Sequence, residues 1–341
     1  MMYASQAKPT FTDSCFVDID LTDDLKRNNE VYSVSKRPTQ VNVAMDTEPP
    51  MSIWKAAELG NVAALSYFIH RHYSDTDQDG EPTIVNLLNS RDPNTECTLL
   101  HLIISNNPNP LQPLELLLKY GADATSRNIY NIQAIHALFI GCKSPLEPLE
   151  LLIKYDADVN ARDGDGWTPA HYAARFCPYP DPILKYLVGV GADINAIDAS
   201  KKTALFALLA NGDHSMILDW LINTAKASIK VQGDFLNNQT RRTRQGSLVL
   251  QAAKYGRLSC LRILISSASA MESLEGILTR DELKDSIELV RHQLIKVTKR
   301  DSIERLGLMI MILENLMEKL FGKESTTIKR RPSLLNRMGW K

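Results

Sequence analysis

Short bursts of apolar residues at helical spacing, each set between glycine-rich polar turns, give the chain its pattern, and residues 162–196 show it whole. Gly164 and Gly166 supply the permissive backbone of a tight turn. Thr168 stands where a helix is capped, and Pro169 takes the first helical position, where a missing N–H costs nothing. Ala173 and Ala174 leave room for a neighbouring helix to approach. Ile183, Leu184, Leu187 and Val188 mark a second helix by their spacing, and Gly191 is placed to end it in a left-handed turn. Two helices this short cannot enclose a core, so the unit has to stack on copies of itself.

The copies are present. His101, His136, His171 and Phe206 fall at equal steps of 35 residues, and Gly121-Ala-Asp, Asp156-Ala-Asp and Gly191-Ala-Asp keep the same step. The signature T-P-[LA]-H-x-A-A followed by G-A-D-[VI]-N-A resembles the ankyrin repeat, over roughly Ser52 to Ser267. A first unit opens at Ser52 with Trp54 in the histidine position, and a fifth loses the histidine to Phe206. A long connection, Thr224–Gln245, separates the fifth from a sixth unit at Ser247. In units two to four the crossover between helices is longer and carries prolines, among them Pro108, Pro110, Pro145 and Pro178. Repeats of this sort resemble those of fungal ankyrin proteins.

Beyond Ser267 the pattern changes. Thr279-Arg-Asp-Glu282 fits a capping box, and Leu283, Ile287, Val290, Leu294 and Val297 form a helical stripe. A second helix is expected from Asp301, with Leu306, Met309, Leu313 and Leu316 on one face. The expected fold is therefore all-α, an ankyrin-repeat solenoid of about six helix-turn-helix units over residues 51–267. A helical C-terminal cap follows over 268–322, covering the apolar face of the last unit. Its Met-rich stripe (Met309, Met311, Met317) is also a surface on which a partner helix or a second copy would dock. Residues 1–50 and 323–341 read as disordered tails, the second one basic.

Composition narrows the function classes. Net charge is −1, so no overall field advertises nucleic acid or a membrane. The 5 cysteines are scattered without a C-x-x-C pair, which argues for reduced thiols in the cytosol or nucleus and against a zinc site. The first residues lack a basic region followed by an apolar run, so no signal peptide is expected. Apolar runs such as Leu308–Leu313 are far too short to span a bilayer. A soluble protein of the cytoplasm or nucleus is expected.

Three evenly spaced histidines invite a metal or proton-relay reading. Stacked units would hold them roughly 10 Å apart, whereas zinc needs its ligand atoms about 2 Å from one centre. The ankyrin resemblance implies instead that each ring bonds to Thr98 or Thr168 of its own unit and to neighbouring turn backbone. Asp75, Asp77 and Asp79 match the start of a calcium loop, but Asn86 stands where the glutamate of that motif belongs, so a solvated loop is the better reading. No nucleophile elbow, Walker loop or H-E-x-x-H sequence occurs, and Asp163, Asp165 and Asp198 are explained as turn formers. No enzyme activity, cofactor or metal is expected.

Binding remains. The resemblance implies a concave groove lined by the turns, here called fingers, and by the first helices. The residues expected to meet a partner are Arg127 and Tyr130, then Arg162, Asp165 and Trp167, then Lys201 and Lys202, then Arg241, Arg242 and Arg244. Trp167 has two open readings, partner contact or packing on the adjoining finger. The row becomes basic toward its end, so the expected partner is a protein with an acidic segment facing Lys201, Lys202 and Arg241–Arg244. Arg241-Arg-Thr-Arg lacks interleaved aromatics, so direct contact with nucleic acid is not expected. The expected role is a scaffold or adaptor. A transcriptional co-regulator acting through partners and a substrate receptor of a ubiquitin ligase are the alternatives. Arg330-Arg-Pro-Ser333 resembles a basophilic kinase site, and Lys36-Arg-Pro-Thr39 resembles it less closely. Asp156, standing where Gly121 and Gly191 stand, is expected to carry a positive φ.

Overall fold

A computed structural model describes residues 48–72, 83–236, 243–266 and 268–322. Thr39, the loop residues 73–82, Arg241, Arg242 and Ser333 lie outside the described residues. The described chain falls into two compact units, one running to Ala157 and including Arg162–Gly166, the other made of Asp158–Ala161 and everything from Trp167 onward.

The first unit holds α1 (Ile53–Glu58) and α2 (Val62–His72), then α3 (Thr83–Asn89), α4 (Leu99–Asn106) and α5 (Leu111–Lys119), then α6 (Ala134–Gly141) and α7 (Leu146–Lys154). Helices α1, α4 and α6 pack side by side as the first helices of successive repeats, and α2, α5 and α7 as the second. Spacing explains the two layers. In α4 and α6 nearly every side chain is buried, whereas in α5 only Pro113, Leu114, Leu117 and Leu118 are. A helix buried all round belongs inside, and one with a single apolar stripe belongs at the surface. Pro113 and Pro148 sit in the first turns of α5 and α7, where no intrahelical N–H is needed.

In the second unit α8 (Pro169–Phe176), α10 (Ala204–Asn211) and α12 (Leu248–Lys254) are the first helices, and α9 (Pro180–Gly189), α11 (Ser215–Asn223) and α13 (Leu258–Ser266) the second. A short helix α14 (Ala268–Glu275) precedes α15 (Arg280–Lys296) and α16 (Arg300–Phe321). Helix α15 packs on α12 and α16 on α13, so the last pair continues both layers. It does so through Leu283, Ile287 and Val290 of α15 and Leu306, Met309, Leu313 and Leu316 of α16. Each such burial is worth about 1.5–3 kcal/mol. The capping box expected at Thr279 is only half made. The Thr279 hydroxyl accepts the Glu282 N–H at 3.1 Å, but the Glu282 carboxylate reaches away to the Ser247 N–H (2.8 Å) and hydroxyl (2.6 Å).

One element departs from an all-helical plan. The long connection Thr224–Gln245 holds strand β1 (Gly233–Leu236) and runs into β2 (Thr243–Gly246), paired antiparallel with Phe235 opposite Arg244. Phe235 is buried against Phe206, ring centroids 6.2 Å apart, so the strand forms because it has a core residue to deliver.

Asparagine side chains clasp repeat to repeat within each unit. In the first, the Asn89 amide donates to the Gly121 carbonyl (3.0 Å) and accepts the Asp123 N–H (2.7 Å). In the second, Asn160 does the same with Gly191 (3.0 Å) and Asp193 (2.7 Å), and Asn195 with Lys226 (3.5 Å) and Ser228 (2.7 Å). The turns so clasped are the left-handed ends of the second helices. Their φ values are +98° at Gly121, +96° at Gly191 and +58° at Lys226, and the unclasped turn at Asp156 (+63°) keeps the same 35-residue step.

Candidate functional site

The fingers are built by short polar side chains folding back on their own backbone. Asp92, Asn128, Asp163 and Asp198 each accept the N–H of a residue two or three positions on, at 3.0, 3.0, 2.9 and 2.8 Å. A left-handed residue follows in each finger, at Glu96 (φ +54°), Asn131 (+61°), Gly166 (+80°) and Lys201 (+58°). For glutamate and lysine that conformation costs on the order of 1–2 kcal/mol, which the side-chain turn offsets.

Behind the fingers lie the histidines. The Nε2 of His101 is 2.8 Å from the Ile132 carbonyl, an acceptor only, so Nε2 carries the proton and Nδ1 accepts from the Thr98 hydroxyl at 2.8 Å. In His171, Nε2 donates to the Lys202 carbonyl (3.1 Å) and Nδ1 accepts from the Thr168 hydroxyl (2.9 Å). Nδ1 of His136 accepts the Gln133 N–H at 3.2 Å. Each of these bonds ties a first helix to a finger or cap, which is the structural task the resemblance implied. Burial pushes the His101 imidazole down to about 4, with the charges of His136 and Arg91 adding to the effect and the Ile132 bond opposing it. Among the described residues, no three or more His, Cys, Asp or Glu side chains converge on a possible metal position.

Of the residues expected to meet a partner, those in the first unit divide by task. Arg127 braces two turns, donating from Nη1 to the carbonyls of Asn131 (2.8 Å) and Arg162 (2.6 Å). Arg162 donates to the Gly166 carbonyl at 3.2 Å. Asp165 is half-buried, with its N–H held by Asp163. Tyr130 projects from the fingertip, 48% exposed, and beside it stands Ile129 at 53%. The sequence reading passed over Ile129, although an isoleucine at a turn tip is a signal, because nothing in a turn buries it.

In the second unit Trp167 is half-buried. Its Nε1 donates to the Asp198 carboxylate at 3.0 Å, and its ring lies 5.5–6.2 Å from those of Tyr172, His171 and Phe176. The Arg175 guanidinium stacks over Phe176 at 5.6 Å. Trp167 therefore packs on the adjoining finger, one of its two open readings. The lysines and Arg244 do not form an unencumbered basic row. Asp234 of β1 lies 3.8 Å from Lys201 and gives its N–H to the Ser200 carbonyl, while Lys202 sits 4.8 Å over the Phe235 ring. Arg244 pairs with Asp285. The physical reason is the hairpin, whose acid and aromatic were hidden in a stretch read as a link. Lys201 keeps 54% of its side chain exposed.

Residues 100–198 match the family model for ankyrin repeats (3 copies), the span from α4 to the finger after α9. No curated protein matches the chain. Residues 100–198 are ankyrin repeats, and the described residues form a mostly helical fold with one small two-stranded sheet. Such repeats are protein–protein interaction modules. No described helix is long and apolar enough to cross a membrane.

Proposed function

We propose that this protein is a non-catalytic scaffold or adaptor that docks a protein partner on its fingers and first helices. The observation that carries the reading is the exposed Ile129–Tyr130 pair, an apolar and an aromatic side chain on a turn whose Tyr130 and Ile132 N–H groups are both held by the Asn128 side chain. Rigid aromatics beside arginine are the residue types enriched where interfaces draw their affinity. In the second unit, taken by itself, Lys201 is half exposed in a left-handed fingertip and offers a basic contact to an acidic stretch of a partner. Helices α15 and α16 serve as the cap of the last repeat. Ser333 and, more weakly, Thr39 are acceptors for a basophilic kinase, which phosphopeptide mapping after kinase activation tests directly.

The test is affinity purification with the full chain, quantified against Tyr130→Asp and Lys201→Glu variants that keep the parent circular dichroism spectrum. A partner on the fingers is depleted roughly tenfold by Tyr130→Asp, as expected for a buried interface anchor. If every protein captured by the parent is captured equally by both variants, the finger assignment is wrong.

A further inference from the structure

A helix pair that only closes a repeat stack presents a polar outer face. Helices α15 and α16 do not. Ile295 of α15 is 77% exposed, and on α16 Leu308 and Met311 are 38% and 50% exposed. Leu306, Met309, Leu313 and Leu316 are the buried side of α16, so the exposed apolar side chains belong to a second face. Asp301, Glu304, Leu308, Met311, Asn315 and Glu318 are all exposed and follow one another by alternate steps of three and four residues. That rhythm draws one stripe along a helix, of the kind along which two helices pack. Gly307 adjoins it. Glycine inside a helix is destabilising relative to alanine, and nothing lies within 4 Å of where its Cβ would stand, so this fold does not require it. A second helix approaching closely does.

We propose that this stripe seats a second copy of the chain, the two α16 helices running antiparallel about a two-fold axis level with Met309 and Ile310. The charges select that occupant and that register. About such an axis Leu308 meets Met311 of the second copy, and the two symmetric pairs form an apolar centre. Arg300 comes level with Glu318 of the second copy, and Asp301 with its Lys319, to within one residue's rise of ~1.5 Å. The members of each pair are about five turns apart in the helix, so they project from the same edge of the stripe, and a two-fold sets like edges together. Glu304, which accepts from Arg300 of its own helix at 3.1 Å, comes level with the neutral Asn315. A parallel pair would instead set Glu304 and Glu318 each against its own copy. One helix face per subunit places the contact at the small end of the ~1,200–2,000 Å² of stable interfaces, so dissociation in the micromolar range is expected.

Sedimentation velocity of the full chain from about 1 to 300 μM brackets that affinity and tests the proposal. The parent should pass from monomer to dimer. Met311→Glu should raise the dissociation constant at least about tenfold, because it sets two carboxylates at the apolar centre. The residue is exposed, and an unchanged circular dichroism melt checks that the variant folds. Arg300→Glu and Glu318→Lys should each weaken the dimer about threefold, and the two together in one chain should restore it. A parent that stays monomeric throughout, or a dimer indifferent to Met311→Glu, overturns the proposal. Growth in mass beyond a dimer does so too, since a two-fold contact closes on itself. Failure of the double charge variant to recover the lost affinity overturns the antiparallel register. No finger residue is changed, so failure here leaves the finger assignment untouched.

Discussion

The fourth and fifth repeats, neighbours in the second unit, solve one problem in two ways. In the fourth, Thr168 and His171 run a polar relay, hydroxyl to Nδ1 and Nε2 to the Lys202 carbonyl, that fastens α8 to the next finger. In the fifth, Phe206 stands in the histidine's place and has no nitrogen to offer. The Thr203 hydroxyl is consequently buried with no hydrogen-bond partner. What fastens α10 to the finger that follows is apolar, the Phe235 ring of β1 laid against Phe206, together with Gln251 donating to the Phe206 carbonyl at 2.9 Å. The lesson is that the lock belongs to the pair of repeats and not to the histidine. A longer finger that carries its own aromatic replaces a ring that hydrogen-bonds.

The comparison breaks most visibly if that aromatic is removed. Phe235→Ala should lower the unfolding free energy of the second unit by about 3–5 kcal/mol, because it strips the cover from Phe206. Urea denaturation followed by Trp167 and Trp220 fluorescence reads this. A loss below about 1 kcal/mol would mean the hairpin is not the lock.

Acid separates the two kinds of repeat next. The His101 pKa is lowered from 6.5 in the unfolded chain to about 4 in the fold, chiefly by burial. The unfolded chain therefore takes up the proton first, and the histidine's contribution is whole above pH 6.5. It is lost progressively as pH falls toward 4, on the order of 3 kcal/mol in all. Hydrogen exchange at pH 7 and pH 5, corrected for intrinsic rates, should show α4 loosening while α10, with phenylalanine at that position, holds.

A matched pair of substitutions sharpens the contrast further. Thr168→Val removes the donor to His171 and should destabilise by about 1–2 kcal/mol, whereas Thr203→Val removes only an orphaned hydroxyl and should stabilise by about 1 kcal/mol. Opposite signs in thermal denaturation are the outcome expected, and equal signs would refute the distinction. The smallest effect lies away from the locks. Asp156→Gly relieves a positive φ at a repeat end and should add roughly 0.5–1 kcal/mol.

Much of this architecture was legible in the chain because a 35-residue step, a threonine at the cap (Thr98, Thr168, Thr203) and a Gly-Ala-Asp or Asp-Ala-Asp turn recur in phase. The positive φ of Asp156 follows from its register alone. Lys226 occupies the same position and escaped notice, since lysine hides a turn that glycine announces. The hairpin was hidden for a different reason. Its strands are four residues each, too short for an alternating pattern to stand out, and they exist only because Phe206 waits to be covered. The fate of Glu282 was equally out of reach. A capping-box glutamate and one that reaches to Ser247 look identical until the neighbouring helix is in place. In the candidate site the arginines looked like partner contacts by type, yet Arg127 and Arg162 spend their donors on turn carbonyls.

The asparagine clasps carry a consequence for how such a protein changes over generations. The hydrogen bonds that Asn89, Asn160 and Asn195 make to the adjoining turn go to its main-chain N–H and C=O groups. A fastener that reads peptide alone is indifferent to what the next module displays. Whole modules of this length are therefore open to in-frame duplication or excision with their joints intact, while their outward residues diverge freely.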